Sequence, residues 1–201
     1  MSHFHKNTTS AMSLMLSELG LFLATTILLT IVFSFVFSND WQRRVDLQSV
    51  SSDFSNQLDD LAVLFFEHTI EYQFPQKQYP YQVMVSTEYL ILLGSGSSEM
   101  NLLVTKRLIT QPWVHHMNQT WTTGEDLHEY FNDTAGHPGT QDEPVSLENF
   151  TDFFKENLAL QSSFAIHPFE IDTLKPVMLE RVIIYYDTDK KQDILLIYQR
   201  P

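Results

Sequence analysis

Hydrophobic and polar positions change rhythm twice along this chain. Residues 19–37, LGLFLATTILLTIVFSFVF, form a nineteen-residue run without a single charge. As a helix the run is roughly 28 Å long, close to the ~30 Å hydrocarbon thickness of a bilayer. Beyond Trp41 the apolar residues thin out and fall at Val45, Leu47, Val50, Phe54, Leu58, Leu61 and Leu64/Phe65. Steps of three and four define one face of a helix. Gln48, Ser51, Ser52, Asp53, Ser55, Gln57, Asp59 and Asp60 fill the other face. With no proline before Pro75 to break it, one helix is predicted from about residue 14 to about residue 70. Its first half is apolar all round and its second half is amphipathic.

From residue 81 the rhythm is that of strands. YQVMVSTEYLILL (81–93) is rich in β-branched and aromatic residues, GSGSSE reads as a turn, and NLLVTKRLI (101–109) as the returning strand. VMLERVIIYYDT and DILLIYQR predict a second hairpin turning through DTDKKQ, preceded by a short strand in FAIHPFEI. Two helices are predicted between the hairpins. GEDLHEYFN is short. SLENFTDFFKENLAL gathers Leu147, Phe150, Phe153, Phe154, Leu158 and Leu160 largely on one face, behind Ser146 as N-cap. The expected fold is α+β: a long N-terminal helix packed on an antiparallel β-sheet head with one or two inserted helices. The expected divisions are a polar leader (1–13), a transmembrane helix (14–40), an amphipathic continuation (41–72) and the head (73–201).

Charge and composition sharpen this picture. The chain carries 25 acidic and 12 basic residues, a net charge of −13, and every acid but Glu18 lies at or after Asp40. Such a surface repels nucleic acid and anionic headgroups, and no basic patch with interleaved aromatics offsets it. With no cysteine, disulfides, thiol catalysis and cysteine-based zinc sites are excluded. A cleaved secretory signal would be shorter, with a basic start and a small-residue cleavage site, so a lasting membrane span is the expectation. Trp41 follows at interfacial depth, then Arg43 and Arg44. Lys6 and the terminal amine on one side nearly balance these arginines on the other. Acidity and the sequons at Asn7, Asn118, Asn132 and Asn149 favour the head outside the cell, with Asn118, Asn132 and Asn149 as candidate glycosylation sites.

A short polar leader, an apolar helix with an acid near its start, an amphipathic continuation and a β-rich head resemble the layout of type IV pilin-like proteins. The archaeal class with a short leader and prepilin-type processing is the most similar. In that family a peptidase cuts just before the apolar segment, and the apolar helices bundle into a filament core or anchor the subunit. In many members an acid at the fifth mature position neutralises a neighbour's new N-terminus. A cut between Ser13 and Leu14 places Glu18 at that position; a cut after Ala11 supplies a small residue before the cut but moves Glu18 to the seventh. The basic residue that the family carries immediately before the cut is absent, Lys6 being the nearest. The resemblance spans about the first 70 residues and implies assembly and membrane roles for Glu18, Leu19, Leu21, Phe22, Ile27, Ile31, Phe35 and Trp41. It implies as partners the membrane, copies of the chain or related subunits, and a prepilin-type peptidase. The alternative for Glu18 is an ordinary acid at the edge of an uncleaved span.

Candidate chemistry is sparse. His115, His116, His128 with Asp126 and Glu129, and His137 are ligand types for zinc, but no His-Glu-x-x-His pair exists and adjacent strand histidines point to opposite faces. Asp187, Asp189 and Asp193 resemble a calcium loop without its central glycine or closing glutamate, and read more simply as a polar turn. The glycines of LLGSGSSE lack the rest of a phosphate-binding loop, and no Gly-x-Ser-x-Gly elbow is present. The pairs Phe65–Phe66, Phe153–Phe154 and Tyr185–Tyr186 read as packing residues. The leading expectation is therefore a non-enzymatic, membrane-anchored pilin-like protein with an exterior head and no cofactor, metal or nucleic-acid partner. An uncleaved single-pass envelope adaptor or archaellum-stator-like protein is the first alternative. A membrane-tethered metal-dependent enzyme using the 115–142 region is the second.

Overall fold

The computed structural model describes residues 4–96, 101–114, 120–164 and 166–200. It is α+β, a long N-terminal helix built into a head of largely antiparallel sheet with further helices. Helix α1, Phe4–Ala62, takes in the apolar run, most of the expected leader and the amphipathic stretch without a break. At 59 residues it is roughly 90 Å long. Among its described side chains, those packed on the head lie in its C-terminal part. There Leu47, Val50, Phe54, Leu58 and Leu61 are all at most 4% exposed, as their spacing predicts. Each such side chain contributes on the order of 1.5–3 kcal/mol by leaving water.

Eight strands follow among the described residues: β1 His68–Tyr72, β2 Tyr81–Val85, β3 Tyr89–Ser95, β4 Asn101–Arg107, β5 Trp113–Val114, β6 Phe169–Ile171, β7 Val177–Tyr186 and β8 Lys190–Tyr198. They form two four-stranded sheets, ordered β1-β7-β8-β5 and β4-β3-β2-β6. All pairings are antiparallel except that of the short β5 with β8. Helices α2, Gly124–Ala135, and α3, Leu147–Ser163, complete the described elements.

The period-two pattern of β7 and β8 separates two cores. Val177, Leu179, Leu195 and Ile197 face α1 and the inner residues of the second sheet, Val83, Val85, Leu90, Leu92, Val104 and Ile171. Met178, Val182, Ile184, Ile194, Leu196 and Tyr198 face α2 and α3, with Leu127, Phe131, Phe150 and Phe153. The central hairpin is thus buried on both faces, which explains its near-continuous apolar sequence. Helix α1 contacts both sheets. Gly94 on β3 lets it come close: a Cβ there would stand 2.8 Å from Leu47 Cδ1.

Four expectations need correction. Helix α1 ends at Ala62 rather than near residue 70, and residues 68–72 are a strand on β7. The reason is tertiary: Arg181 of β7 donates from Nη1 to the Ala62 carbonyl at 3.0 Å and closes the helix, where a cation also suits the helix dipole. Phe65, which the helical period places on the buried face, is consequently 89% exposed, and Phe66 beside it is exposed too. Val45, at the other end of the same face, is exposed as well. The stretch 81–93 is a hairpin, not one strand. Buried Ser86 folds it, its Oγ accepting from the Glu88 and Tyr89 amides at 3.2 and 2.8 Å. In α3 the buried face is Phe150, Phe153, Asn157 and Gln161, while Leu147, Leu158 and Leu160 are exposed. Two amides win inner places because they find backbone partners. Gln161 brackets β5, accepting from Val114 N at 3.0 Å and donating to Val114 O at 3.2 Å, and Asn157 donates to Phe153 O. Finally, only Phe169–Ile171 of FAIHPFEI is strand, Phe164 serving as the C-cap of α3.

Candidate functional site: the bare helix and its junction with the head

The described side chains of the outer part of α1, residues 15–34, are all exposed and mostly apolar. Leu19 (70%), Leu21 (69%), Phe22 (76%), Ile27 (52%) and Ile31 (61%) are all exposed. Among the described residues this is one helix long and apolar enough to cross a membrane. Its threonines turn their hydroxyls back onto the helix. The Thr25 hydroxyl donates to Leu21 O and Phe22 O at 3.0 and 2.9 Å, Thr26 to Phe22 O at 2.8 Å and Thr30 to Thr26 O at 2.8 Å. Hydroxyls that bond within their own helix need no water, and in hydrocarbon that removes a cost of several kcal/mol each. Glu18 is exposed at the start of the run. Phe35 lies on α1, but its side chain is outside those described.

The junction begins at Trp41, 66% exposed. Arg43 then locks helix to head. Its Nη1 donates to Ser95 O at 2.8 Å, its guanidinium lies over the Tyr79 ring at 5.1 Å, and Tyr79 donates its hydroxyl to the Arg43 carbonyl at 3.2 Å. Burial, with the nearby Asp46 charge, raises the Tyr79 pKa, against the opposing pull of Arg43. Lys77 reaches Asp46 at 3.8 Å from the neighbouring loop. The one sequence signal for this clamp is an arginine just past an apolar run; its partners are 36 and 52 residues away.

At the far end of the head, charged groups tie the α1–β1 connection to both sheet and helix. Arg181 is 4% exposed and pairs through Nη2 with Asp193 Oδ1 at 2.9 Å. Glu67 accepts from the Ile183 amide at 2.8 Å and from His128 Nε2 at 3.0 Å, while His128 Nδ1 is 2.6 Å from Pro138 O. Both ring nitrogens of His128 therefore face acceptors, and only the doubly protonated ring satisfies both. Its hydrogen bond to Glu67, ahead of an opposing desolvation, and the bond to Pro138 hold the His128 pKa above its usual value. For Glu67, desolvation pulls upward, but the His128 and Ile183 hydrogen bonds outweigh it and lower the carboxyl pKa.

Two of the other candidate residues are engaged by contacts of this kind. Asp126 closes the capping box of α2, accepting from the Thr122 and Thr123 amides, so it and His128 are engaged within the fold. His115, His116 and Asn118 lie outside the described residues. Among the described residues no group of three or more His, Cys, Asp or Glu side chains is placed to hold a metal ion. Asp187 and Asp189 sit in the β7–β8 turn, Asp187 pairing with Lys190 at φ 55°, whereas Asp193 is on β8 with Arg181. The three do not converge. Asn132 and Asn149 are exposed on α2 and α3.

A head hung on one bare apolar helix defines the class of this protein by structure. No protein-family model, curated protein or solved structure matches the chain.

Proposed function

We propose that this is a non-enzymatic, single-pass membrane protein of pilin-like design, its head outside the cell and its apolar helix serving as anchor or as packing surface for related helices. One observation carries the reading. A single unbroken helix is bare and largely apolar over residues 15–34 and, from Leu47 to Leu61, lines one of the two cores of the head. That continuity transmits position rigidly from the membrane, or from a helix bundle, to the head. Glu18, the one charged residue between Lys6 and Asp40, is the natural partner for a cationic N-terminus of a neighbouring subunit. The exposed sequon asparagines Asn132 and Asn149 and the acidic head fit an exterior location.

Mass spectrometry of the mature N-terminus tests processing: a chain beginning at Met12 or Leu14 is expected, and an intact chain from Met1 removes the peptidase from the proposal. Isolated surface filaments test assembly. Their containing this chain separates a subunit from an uncleaved adaptor whose head binds another envelope protein.

A further inference from the structure

The head as a whole is acidic, but at its end nearest the apolar helix Arg43, Arg44 and Lys77 outnumber Asp40 and Asp46. Asn39, Gln42, Arg43 and Asp46 recur at steps of three and four, so they share one face of α1. With Lys77, Tyr79 and the rest of the loop 76–79 they line an open groove of about 460 Å³. Arg43 is held in place by Ser95 and Tyr79, and its guanidinium carries further donors. Lys77 Nζ is only loosely engaged, 3.8 Å from an Asp46 carboxylate that is itself 53% exposed. Two cations and several amide donors thus face one carboxylate.

Depth gives the groove a partner. Measured along the helix from residue 37, residues 39–46 lie roughly 3–14 Å beyond the apolar run. A bilayer's headgroup layer starts there and extends about 5–8 Å per leaflet. Exposed Trp41, a residue type suited to that interface, is on the same turns. We propose that the groove binds the phosphodiester of an anionic phospholipid headgroup in the leaflet beside the head. The general repulsion between an acidic head and an anionic membrane is reversed at this one spot, which sets the head at one rotation about its anchor. The inference rests on α1 crossing the membrane.

The test uses the full chain reconstituted in nanodiscs of equal phosphatidylglycerol and phosphatidylcholine, with native mass spectrometry of the lipid retained by the released protein. Enrichment of phosphatidylglycerol is expected. Lys77→Gln reduces it by about five-fold, the effect of one lysine at a charged surface. Lys77→Arg retains it, and Lys155→Gln, on an exposed lysine of α3, leaves it unchanged. Equal retention of the two lipids, or an equal loss in Lys155→Gln, overturns the proposal. So does displacement of the lipid by millimolar inorganic phosphate, which marks a site for soluble anions. Release of the wild-type chain by an alkaline wash refutes the membrane span and the groove together. A chain that resists the wash but shows no enrichment refutes the groove alone.

Discussion

The outer and inner parts of α1 share one backbone ladder, yet they differ in how their apolar residues are spread and in what surrounds them. In the outer part, Phe22 and Ile27 are exposed and the threonine hydroxyls turn back onto their own helix. In the inner half, Phe54 is fully buried, 5.1 Å from the ring centre of Tyr72 and 5.2 Å from that of Phe74. Apolar residues all round suit a helix whose solvent is apolar; a single apolar face suits one that meets a core on one side and water on the other. The difference teaches that one helix can hold two surfaces with different requirements, one bare and apolar and one fitted to the head core.

The largest expected effect breaks that comparison directly. Phe54→Ala lowers the unfolding free energy of the head by ~3–5 kcal/mol, while Phe22→Ala changes it by less than ~0.5 kcal/mol. Urea titration of the full chain in detergent, followed through buried Trp121, reads both. Equal losses would show that the outer half is also part of the folding unit. Next comes the helix end. Arg181→Ala removes the ties to Ala62 and Asp193 and costs on the order of 2–3 kcal/mol. Hydrogen exchange in the last turn of α1 rises in this variant, and an unchanged last turn would remove Arg181 as the stop.

A third variant moves to the second core. A Cβ on Gly124 would lie 2.6 Å from Val182 Cγ2 and 2.7 Å from Glu180 Oε1, while the Gly124 amide donates to Glu180 Oε2 at 3.0 Å. Gly124→Ala therefore costs about 1–2 kcal/mol, the lower part of the range for overpacking, since Val182 can rotate. It should loosen α2 and leave the junction at Arg43 intact, and exchange at both places checks this.

The smallest effect is a pH dependence. His128 has a folded pKa above its usual 6.5, so its contribution is complete below that value and is lost as pH rises through the folded pKa. Glu67 has a folded pKa below its usual 4.5, so its contribution is present above that value and is lost as pH falls through the folded pKa. Melting temperature measured from pH 5 to 9 should show the difference between wild type and His128→Gln shrinking towards the alkaline end. A constant difference would mean that the ring charge contributes nothing.

Much of the architecture was legible because it depends on local repetition. The amphipathic face of α1 and the two inserted helices follow from short-range helical spacing, and the β7–β8 hairpin from two apolar runs around a polar turn, all of which a short window of sequence displays. Ser146 as a cap was readable for the same reason. What misled were places where a distant group outweighed the local pattern. The helical rhythm runs on to Phe65, but Arg181, 119 residues from Ala62, stops the helix. Leu158 and Leu160 look like core residues, but Gln161 takes the inner position because β5 offers it an unpaired amide and carbonyl. The 81–93 run looks continuous because a three-residue serine turn carries no glycine or proline to mark it.

By itself the sequence determined that a charge-free helix long enough for a bilayer precedes an acidic, cysteine-free α+β head, since these are matters of composition and short-range period. Only the tertiary structure decided where α1 stops, which of its residues touch the head, and that Arg43, Lys77 and Tyr79 meet beside the apolar run. Those outcomes depend on hydrogen bonds and ion pairs between residues far apart in the chain, whose value arises only once the two sheets have brought them within reach.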